Sequence, residues 1–311
     1  MLGIRKGSFL LIILIPAILF CSEYKGSGAE FLRIEVGAAP SAMGGAYSAL
    51  AESALATYWN PAGIIKTEKL SFAFSHNEWL LDTKTEFAAV TFRTPFGVIG
   101  SSFNTLTSGT MKGYDEKGYP TGDFTARANC LSFSYAIGFI KPIDTGLSFK
   151  YIWERLENVK ASTIAFDIGA RVTMFKSLSV AMVIQNLGPG ESFISQTSPL
   201  PLTLRLGSAF TPLTTNTISE TVSTDFSMVN NGRRCLHIGS ETMLYGMIFL
   251  RAGYRISSIE TAEKFTCGAG ISLNKLIPAF SNTDIKIDFA QTIGSVDGLG
   301  NVSRLTMIFE L

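Results

Sequence analysis

The chain has 311 residues, of which 46 % are apolar and only 16 % charged, against about 25 % charged in an average soluble protein. It is too apolar to stay disordered, and 26 Lys and Arg against 25 Asp and Glu give a net charge of +1, with no basic surplus for nucleic acid. Two His and four Cys are too few for most zinc sites and His-based catalytic sets, so neither an enzyme nor a cofactor is expected.

At the amino end, Arg5 and Lys6 precede an apolar run from Phe9 to Phe20, and the small residues Ser27-Gly28-Ala29 follow. That is the order of regions in a secretory signal peptide. The run of about a dozen residues falls short of the roughly twenty that a membrane-spanning helix needs. Residues 1–29 are therefore predicted as a signal peptide cut after Ala29. Cys21 opens lipoprotein processing as an alternative, although the Phe20 before it is bulky. Cys130, Cys235 and Cys267 lack metal-like spacing and read as small buried or membrane-facing hydrophobes. No second long apolar segment follows, so an exported chain of this composition is either a soluble β protein or a β-barrel.

Residues 30–67 do not alternate. Ser41 is predicted to cap a short Ala-rich helix running to Leu50 or Ala51. Gly44 and Gly45 allow close backbone approach, and Asn60-Pro61-Ala62-Gly63 forces a turn after Trp59. The segment is too short for an independent domain and too apolar to hang in water, which places it inside a barrel as a plug.

Residues 68–311 are dominated by period two. Leu131, Phe133, Tyr135 and Ile137 alternate with Cys130, Ser132, Ser134 and Ala136, and Leu147, Phe149, Tyr151 and Trp153 with Ser148, Lys150, Ile152 and Glu154. Side chains two apart share one strand face. About fourteen such segments are predicted, near 69–75, 84–93, 97–107, 125–137, 145–156, 161–174, 177–187, 201–211, 217–228, 234–244, 247–257, 264–273, 283–292 and 302–311. Each has roughly the ten residues of a tilted strand crossing a bilayer. Tight turns at Thr94-Pro95-Phe96, Phe175-Lys176-Ser177 and Tyr245-Gly246 roughly alternate with longer connections, the longest being Ser108 to Phe124 and Gly188 to Pro201. This is the asymmetry of an outer-membrane barrel. Trp79, Phe96, Trp153, Tyr245 and Tyr254 lie near strand ends, where aromatic girdles belong. Charges of both signs share the less apolar face, among them Lys150, Asp167, Arg171, Arg205, Arg251, Arg255, Asp288 and Arg304, which predicts a packed, mutually neutralised lumen. The competing fold, a soluble sandwich, would normally be two domains at this length, and no linker divides 69–311. The fold class expected is thus all-β: an antiparallel transmembrane β-barrel of about fourteen strands with a short, partly helical amino-terminal plug.

Two stretches carry a resemblance. Gly37-Ala38-Ala39-Pro40-Ser41-Ala42-Met43-Gly44-Gly45-Ala46-Tyr47, with Ala51-Glu52-Ser53-Ala54-Leu55-Ala56-Thr57-Tyr58-Trp59-Asn60-Pro61-Ala62-Gly63, resembles the amino-terminal signature of the PorV/PorQ family, itself FadL-like. Val183-Ile184-Gln185-Asn186-Leu187-Gly188 resembles a strand end ending in Asn-Leu-Gly in the same proteins. The resemblance covers the plug closely and the barrel through strand number and pattern, in a chain that looks shorter than many relatives.

The resemblance implies a bacterial outer-membrane channel for long-chain fatty acids or other hydrophobic compounds. Trp59, Asn60, Pro61, Ala62 and Gly63 would belong to a plug that shifts to open a path, with lateral escape through a gap in the wall. A cargo carboxylate would need a lumenal Arg, for which Arg251 and Arg255 are the candidates; each could instead neutralise Glu241 or Asp284, and His237 reads as structural. The alternative, of another class, is a PorV-like outer-membrane partner of a type IX-type protein secretion system. A third reading is a structural membrane protein with a permanently closed plug.

Overall fold

The computed structural model describes residues 26–140, 142–175, 177–258, 264–274, 283–293 and 301–311; most of the predicted signal peptide, with Cys21, lies outside the described residues. Alternation sets the architecture. The strands are β1 (Leu70–Glu78), β2 (Lys84–Thr94), β3 (Gly97–Thr107), β4 (Met111–Tyr114), β5 (Pro120–Phe124), β6 (Ala126–Ile140), β7 (Ile143–Leu156), β8 (Val159–Phe175), β9 (Leu178–Leu187), β10 (Glu191–Phe193), β11 (Gln196–Ser198), β12 (Thr203–Thr214), β13 (Ile218–Val229), β14 (Arg234–Leu244), β15 (Ile248–Ser257), β16 (Phe265–Ser272), β17 (Asp284–Ile293) and β18 (Ser303–Glu310). Fourteen of them close an antiparallel barrel in the order β1-β18-β17-β16-β15-β14-β13-β12-β9-β8-β7-β6-β3-β2. The remaining four make two hairpins, β4–β5 and β10–β11, inside the two long connections that the sequence marks as loops.

Closure joins the first strand to the last. Leu70 and Leu311 exchange backbone bonds at 2.9 and 3.4 Å, so both ends of the wall lie at one rim, with the tight turns 95–96, 215–217 and 245–247. This rim is called the turn end below, and the opposite one, carrying both hairpins, the loop end. The expected alternation of connection length is only partial. β7 and β8 meet at the loop end through two residues, whereas 273–283 at the turn end is long. Among the described residues the ladders of β3 with β2 and β6 run without a break, so the wall has no gap there for lateral escape.

The outward face is an apolar belt that includes Phe72, Phe74, Phe133, Tyr151, Phe166, Leu250 and Phe289. The inward face holds small and polar side chains, as β8 shows, where Ala161, Thr163, Ala165, Asp167, Gly169 and Arg171 are all buried. Phe96 and Tyr245 are exposed at the turn-end rim, but Trp79 differs from the girdle expectation. Its ring lies 5.4 Å from the inward Arg304 guanidinium, so it belongs to the lumen mouth. Cys130, Cys235 and Cys267 are unbridged; Cys130 is buried and the other two partly so.

Residues 26–67 fill the lumen. The predicted helix from Ser41 is shortened to one turn, α1 (Ala38–Ala42), with Ser41 inside it, because Gly44 and Gly45 take positive φ (65° and 81°) and end the helical path. Cap roles fall elsewhere: Asn60, after the short helix α2 (Ala56–Trp59), accepts from the Ala62 N–H at 3.1 Å and starts a 3-10 turn over Pro61–Lys66.

A backbone this irregular inside a barrel needs partners for its polar groups, and the inward wall side chains supply them. Thr306 accepts from Ala38 N (2.8 Å), Ser223 donates to Ala46 O (2.7 Å), Arg171 to Ala51 O (2.8 Å), Gln185 to Tyr58 O (2.9 Å) and Arg93 to Thr67 O (2.8 Å). Ser48 is bonded to the wholly buried Asp225. Glycines supply the room. The paired residues Gly146 and Gly169 face Asn60-Pro61-Ala62, and the paired Gly239 and Gly253 face Met43-Gly44. A β-carbon at any of the four would overlap the plug backbone or the Asn60 side chain.

Candidate functional site

A cavity of about 350 Å³ opens between the plug and the upper wall of β9, β12, β13, β14 and β15 at the loop end. Its plug side is the strap Glu30–Glu35 with Tyr58, and its wall side includes Gln185, Arg205, Val229, Arg233, His237 and Arg255, with Trp79 at the mouth. The lining is amphipathic: Leu32, Ile34, Tyr58, Trp79 and Val229 give apolar surface among several charged groups.

The charged groups at the floor grip the plug. Arg255 is ion-paired with Glu35 through Nη2 and donates through Nε to Gly44 O at 2.9 Å. His237 donates from Nδ1 to the same carbonyl at 2.7 Å, while its Nε2 meets Ser227 Oγ at 3.0 Å. Arg205 donates to Gly45 O at 2.6 Å, pairs with Asp225 at 3.3 Å and stacks 4.8 Å from the Trp59 ring centre. Three side chains that line the cavity thus hold one turn of the plug. Above it, the Tyr58 hydroxyl donates to Leu32 O and Ile34 O at 3.0 and 2.9 Å. Burial, and then the nearby Glu35 carboxylate, push this phenol well above its ordinary value, so it remains a donor.

The residues singled out in the sequence divide into two groups. Trp59, Asn60, Pro61, Ala62 and Gly63 are all buried in the plug. Trp59 donates from Nε1 to Val36 O at 2.8 Å, and Asn60 Nδ2 to Ser48 O at 2.9 Å. Pro61 and Ala62 rest on Gly146 of the wall, and Gly63 against Ala51 of the plug itself. They form a seat, away from the cavity lining.

Arg251 and Arg255 are not brought together. The Met43-Gly44 turn lies against Gly253, between them in β15. Arg255 reaches the cavity, whereas Arg251 is held below the turn by Glu241 (2.6 Å) and Asp288 (2.5 Å). The expected neutralisation by Glu241 is thus present for Arg251, while among the described residues Arg255 meets Glu35 of the plug. Elsewhere the lumen is paired as charge interleaving predicts, with Lys150 to Asp167 at 2.6 Å and Arg171 to Asp144 at 3.1 Å.

Sequence reading put Arg205 on the lumenal face without its role at the plug turn, and missed Glu35 and the glycine seats. Period two does place Gly146, Gly169, Gly239 and Gly253 on the inward face, and Glu35 is the one acid between Glu30 and Glu52. Those signals mark where to look without naming a partner.

No protein-family model and no curated protein sequence matches the chain. Solved structures do match in shape. The toluene transporter TodX of Pseudomonas putida superposes with TM-score 0.60 at 13 % identity, covering 88 % of this chain and 96 % of that one. The monoaromatic hydrocarbon channel CymD gives 0.57 at 10 %, covering 89 % and 96 %, and a FadL homologue of Pseudomonas aeruginosa 0.54 at 9 %, covering 89 % and 97 %. At such identities the likeness concerns the backbone. The chain has the fold of FadL-like outer-membrane barrels, a closed antiparallel barrel of fourteen strands.

Proposed function

We propose that the protein is a bacterial outer-membrane channel that admits amphipathic hydrophobes, long-chain fatty acids above all, through the cavity at the loop end. The turn end then faces the periplasm and the loop end the exterior, as in barrels with long outer loops. One observation carries the reading: Arg205, His237 and Arg255 line the cavity and also hold the Gly44-Gly45 turn of the plug. A ligand bound there touches the groups that keep the lumen closed. TodX and CymD are a toluene transporter and a monoaromatic hydrocarbon channel; the Arg-lined cavity of this chain favours an acidic head on an apolar body, since a carboxylate can take over an Arg contact that Glu35 makes in the closed state and a bare hydrocarbon cannot.

The route to opening follows from competition. A ligand carboxylate can take the place of Glu35 on Arg255, forming a bidentate pair. Glu35 then leaves, and Arg255 turns away from Gly44 O. Only a ligand with different affinities for the closed and open arrangements shifts the balance between them, and displacement of an internal carboxylate supplies that difference. Lifting the whole plug would break many wall bonds at about 0.5–1.5 kcal/mol each. The economical motion is of the Glu30–Val36 strap and the Gly44-Gly45 turn, with the Asn60–Gly63 seat as the fixed end.

The test is binding of a fluorescent long-chain fatty acid to the purified folded barrel, with unlabelled acid and an alkane of equal length as competitors. Saturable binding displaced by the acid and hardly by the alkane is expected. No saturable binding by a barrel verified as folded would overturn the proposal. Weight would then pass to a protein-partner role of the type IX kind, through the outer hairpin carrying exposed Tyr114 and Tyr119.

A further inference from the structure

The strap Glu30–Glu35 bounds the cavity on one side and covers an apolar patch of the wall on the other. In that patch Phe31 and Leu32 share one buried cluster with Ala128, Cys130, Ile152, Ala165 and Leu200, and Leu106 packs against it. Strand register makes the wall part continuous across β3, β6 and β7, with Leu106 opposite Ala128 and Cys130 opposite Ile152. The short side chains of Ala128, Cys130 and Ala165 leave the room that the Phe31 and Leu32 side chains take.

Two observations set this patch apart from an ordinary core. It is continuous with the cavity: Leu32 lines the cavity and belongs to the cluster, and Ile34 lines the cavity and packs against the cluster, so the strap itself divides the two. The strap also carries an acid on the cavity's own cation, since Glu35 is ion-paired with Arg255. A carboxylate at one end and an apolar body at the other is the chemistry of an amphipathic acid. The backbone of the strap is satisfied without the wall. Leu32 N–H donates to Ala29 O at 3.0 Å and Ile34 N–H to Phe31 O at 3.1 Å, while Leu32 O and Ile34 O accept from Tyr58 of the plug. Side chains hold it to the wall: Glu35 on Arg255, Glu30 accepting from Asn231 at 3.3 Å, and the burial of Phe31 and Leu32. A ligand can take over such contacts without first breaking a strand ladder.

We infer that the strap is a built-in mimic of the ligand, and that the patch under Phe31 and Leu32 is the tail site, taken by the alkyl chain of a long-chain carboxylic acid whose head sits on Arg255. The site presupposes the channel proposed above and places the apolar body of its ligand. Head and tail displace the strap together: the carboxylate replaces Glu35, and the alkyl chain replaces Phe31 and Leu32. Uncovering the patch without refilling it would return apolar surface to water, which is unfavourable. An acid too short to reach the patch makes only the first exchange, and an alkane only the second. The lumen thereby selects for length and charge at once.

The experiment uses the purified folded barrel and hexadecanoic acid carrying a photoreactive diazirine near its methyl end, with unlabelled hexadecanoic or hexanoic acid as competitor and the cross-linked peptides mapped by mass. Cross-links on β6 to β8 around Cys130 and Ile152, reduced at least fivefold by the long acid and little by the short one, support the inference. Saturable binding with cross-links confined to β12–β15 overturns it and leaves the channel standing, whereas no saturable binding overturns both. Cys130 supplies a second readout. In a Phe31→Ala, Leu32→Ala double variant verified as folded, a small thiol reagent should modify Cys130 at least tenfold faster than in the native protein, and hexadecanoic acid should slow that reaction again. A Cys130 as protected in the variant as in the native barrel, or one that bound hexadecanoic acid leaves equally reactive, would reject the mimic.

Discussion

Arg255 of the wall and Glu35 of the plug close an ion pair across the floor of the cavity, 220 residues apart in sequence. Both are nearly buried, so removing one partner strands a charge, at about 3–5 kcal/mol, while removing both costs less. Opposite functional signs are expected. Glu35→Gln removes the internal competitor and should tighten fatty-acid binding about tenfold, or ~1.4 kcal/mol; Arg255→Met should weaken it by at least as much. Titrations of the folded variants with a fluorescent fatty acid check this, and a loss of affinity in Glu35→Gln would reject the displacement model.

Asn60 rests on Gly169, and Pro61 with Ala62 on Gly146, so these two glycines form the plug's seat. Valine suits a strand, and Gly169→Val or Gly146→Val should leave the folded, heat-modifiable barrel intact while unseating the plug. The expected result is faster entry of a hydrophilic chromogenic solute into cells. Asn60→Ala with Pro61→Ala, which loses the bonds to Ser48 O and Ala62 N, should act in the same direction more weakly and should alter hydrophobe uptake. Unchanged entry and uptake in all three would remove the seat from the closing mechanism.

Asn186 sits in β9 at a ladder shift opposite Phe166 and Ile168 of β8, with φ 62°. Its N–H donates to Asp167 at 2.8 Å, its side-chain oxygen accepts from Lys150 at 2.8 Å, and its amide donates to Pro201 O at 3.2 Å. Gly and Ala substitutions lose the side-chain bonds alike, but only Gly tolerates the positive φ. Asn186→Gly should therefore unfold at a higher denaturant concentration than Asn186→Ala, by about 1 kcal/mol. Equal midpoints would show that the left-handed backbone carries no cost there.

Phe133 lies midway along β6 with 52 % of its surface outward. If the belt meets lipid, Phe133→Arg should cost about 2–4 kcal/mol and lower the yield of folded barrel in membranes. Arg at Tyr119, in the outer loop, should be neutral. Equal yields of the two variants would argue against a bilayer around the wall.

Period two over residues 68–311 was enough to define the barrel, because a strand with one apolar and one polar face has few other homes in a chain without long apolar helices. The fourteen segments match the wall strands within a few residues, and the composition of 30–67 was enough to put that segment inside. Interleaved charges pointed to a neutralised lumen for the same local reason, that their side is set by alternation. Pairing is different in kind. Whether Arg255 meets Glu241, Asp284 or Glu35 depends on where the plug turn lies against β15, and this depends on Gly239 and Gly253 being opposite one another after closure. The helix predicted from Ser41 failed because Gly44 and Gly45 leave the helical region to bring their carbonyls under Arg205, His237 and Arg255, a tertiary demand that overrides local propensity. Trp79 turned inward because Arg304 offers its ring a cation across the mouth. Sequence alone determined faces and order, which depend on neighbours along the chain; the closed structure decided the partners, which depend on distances across the lumen.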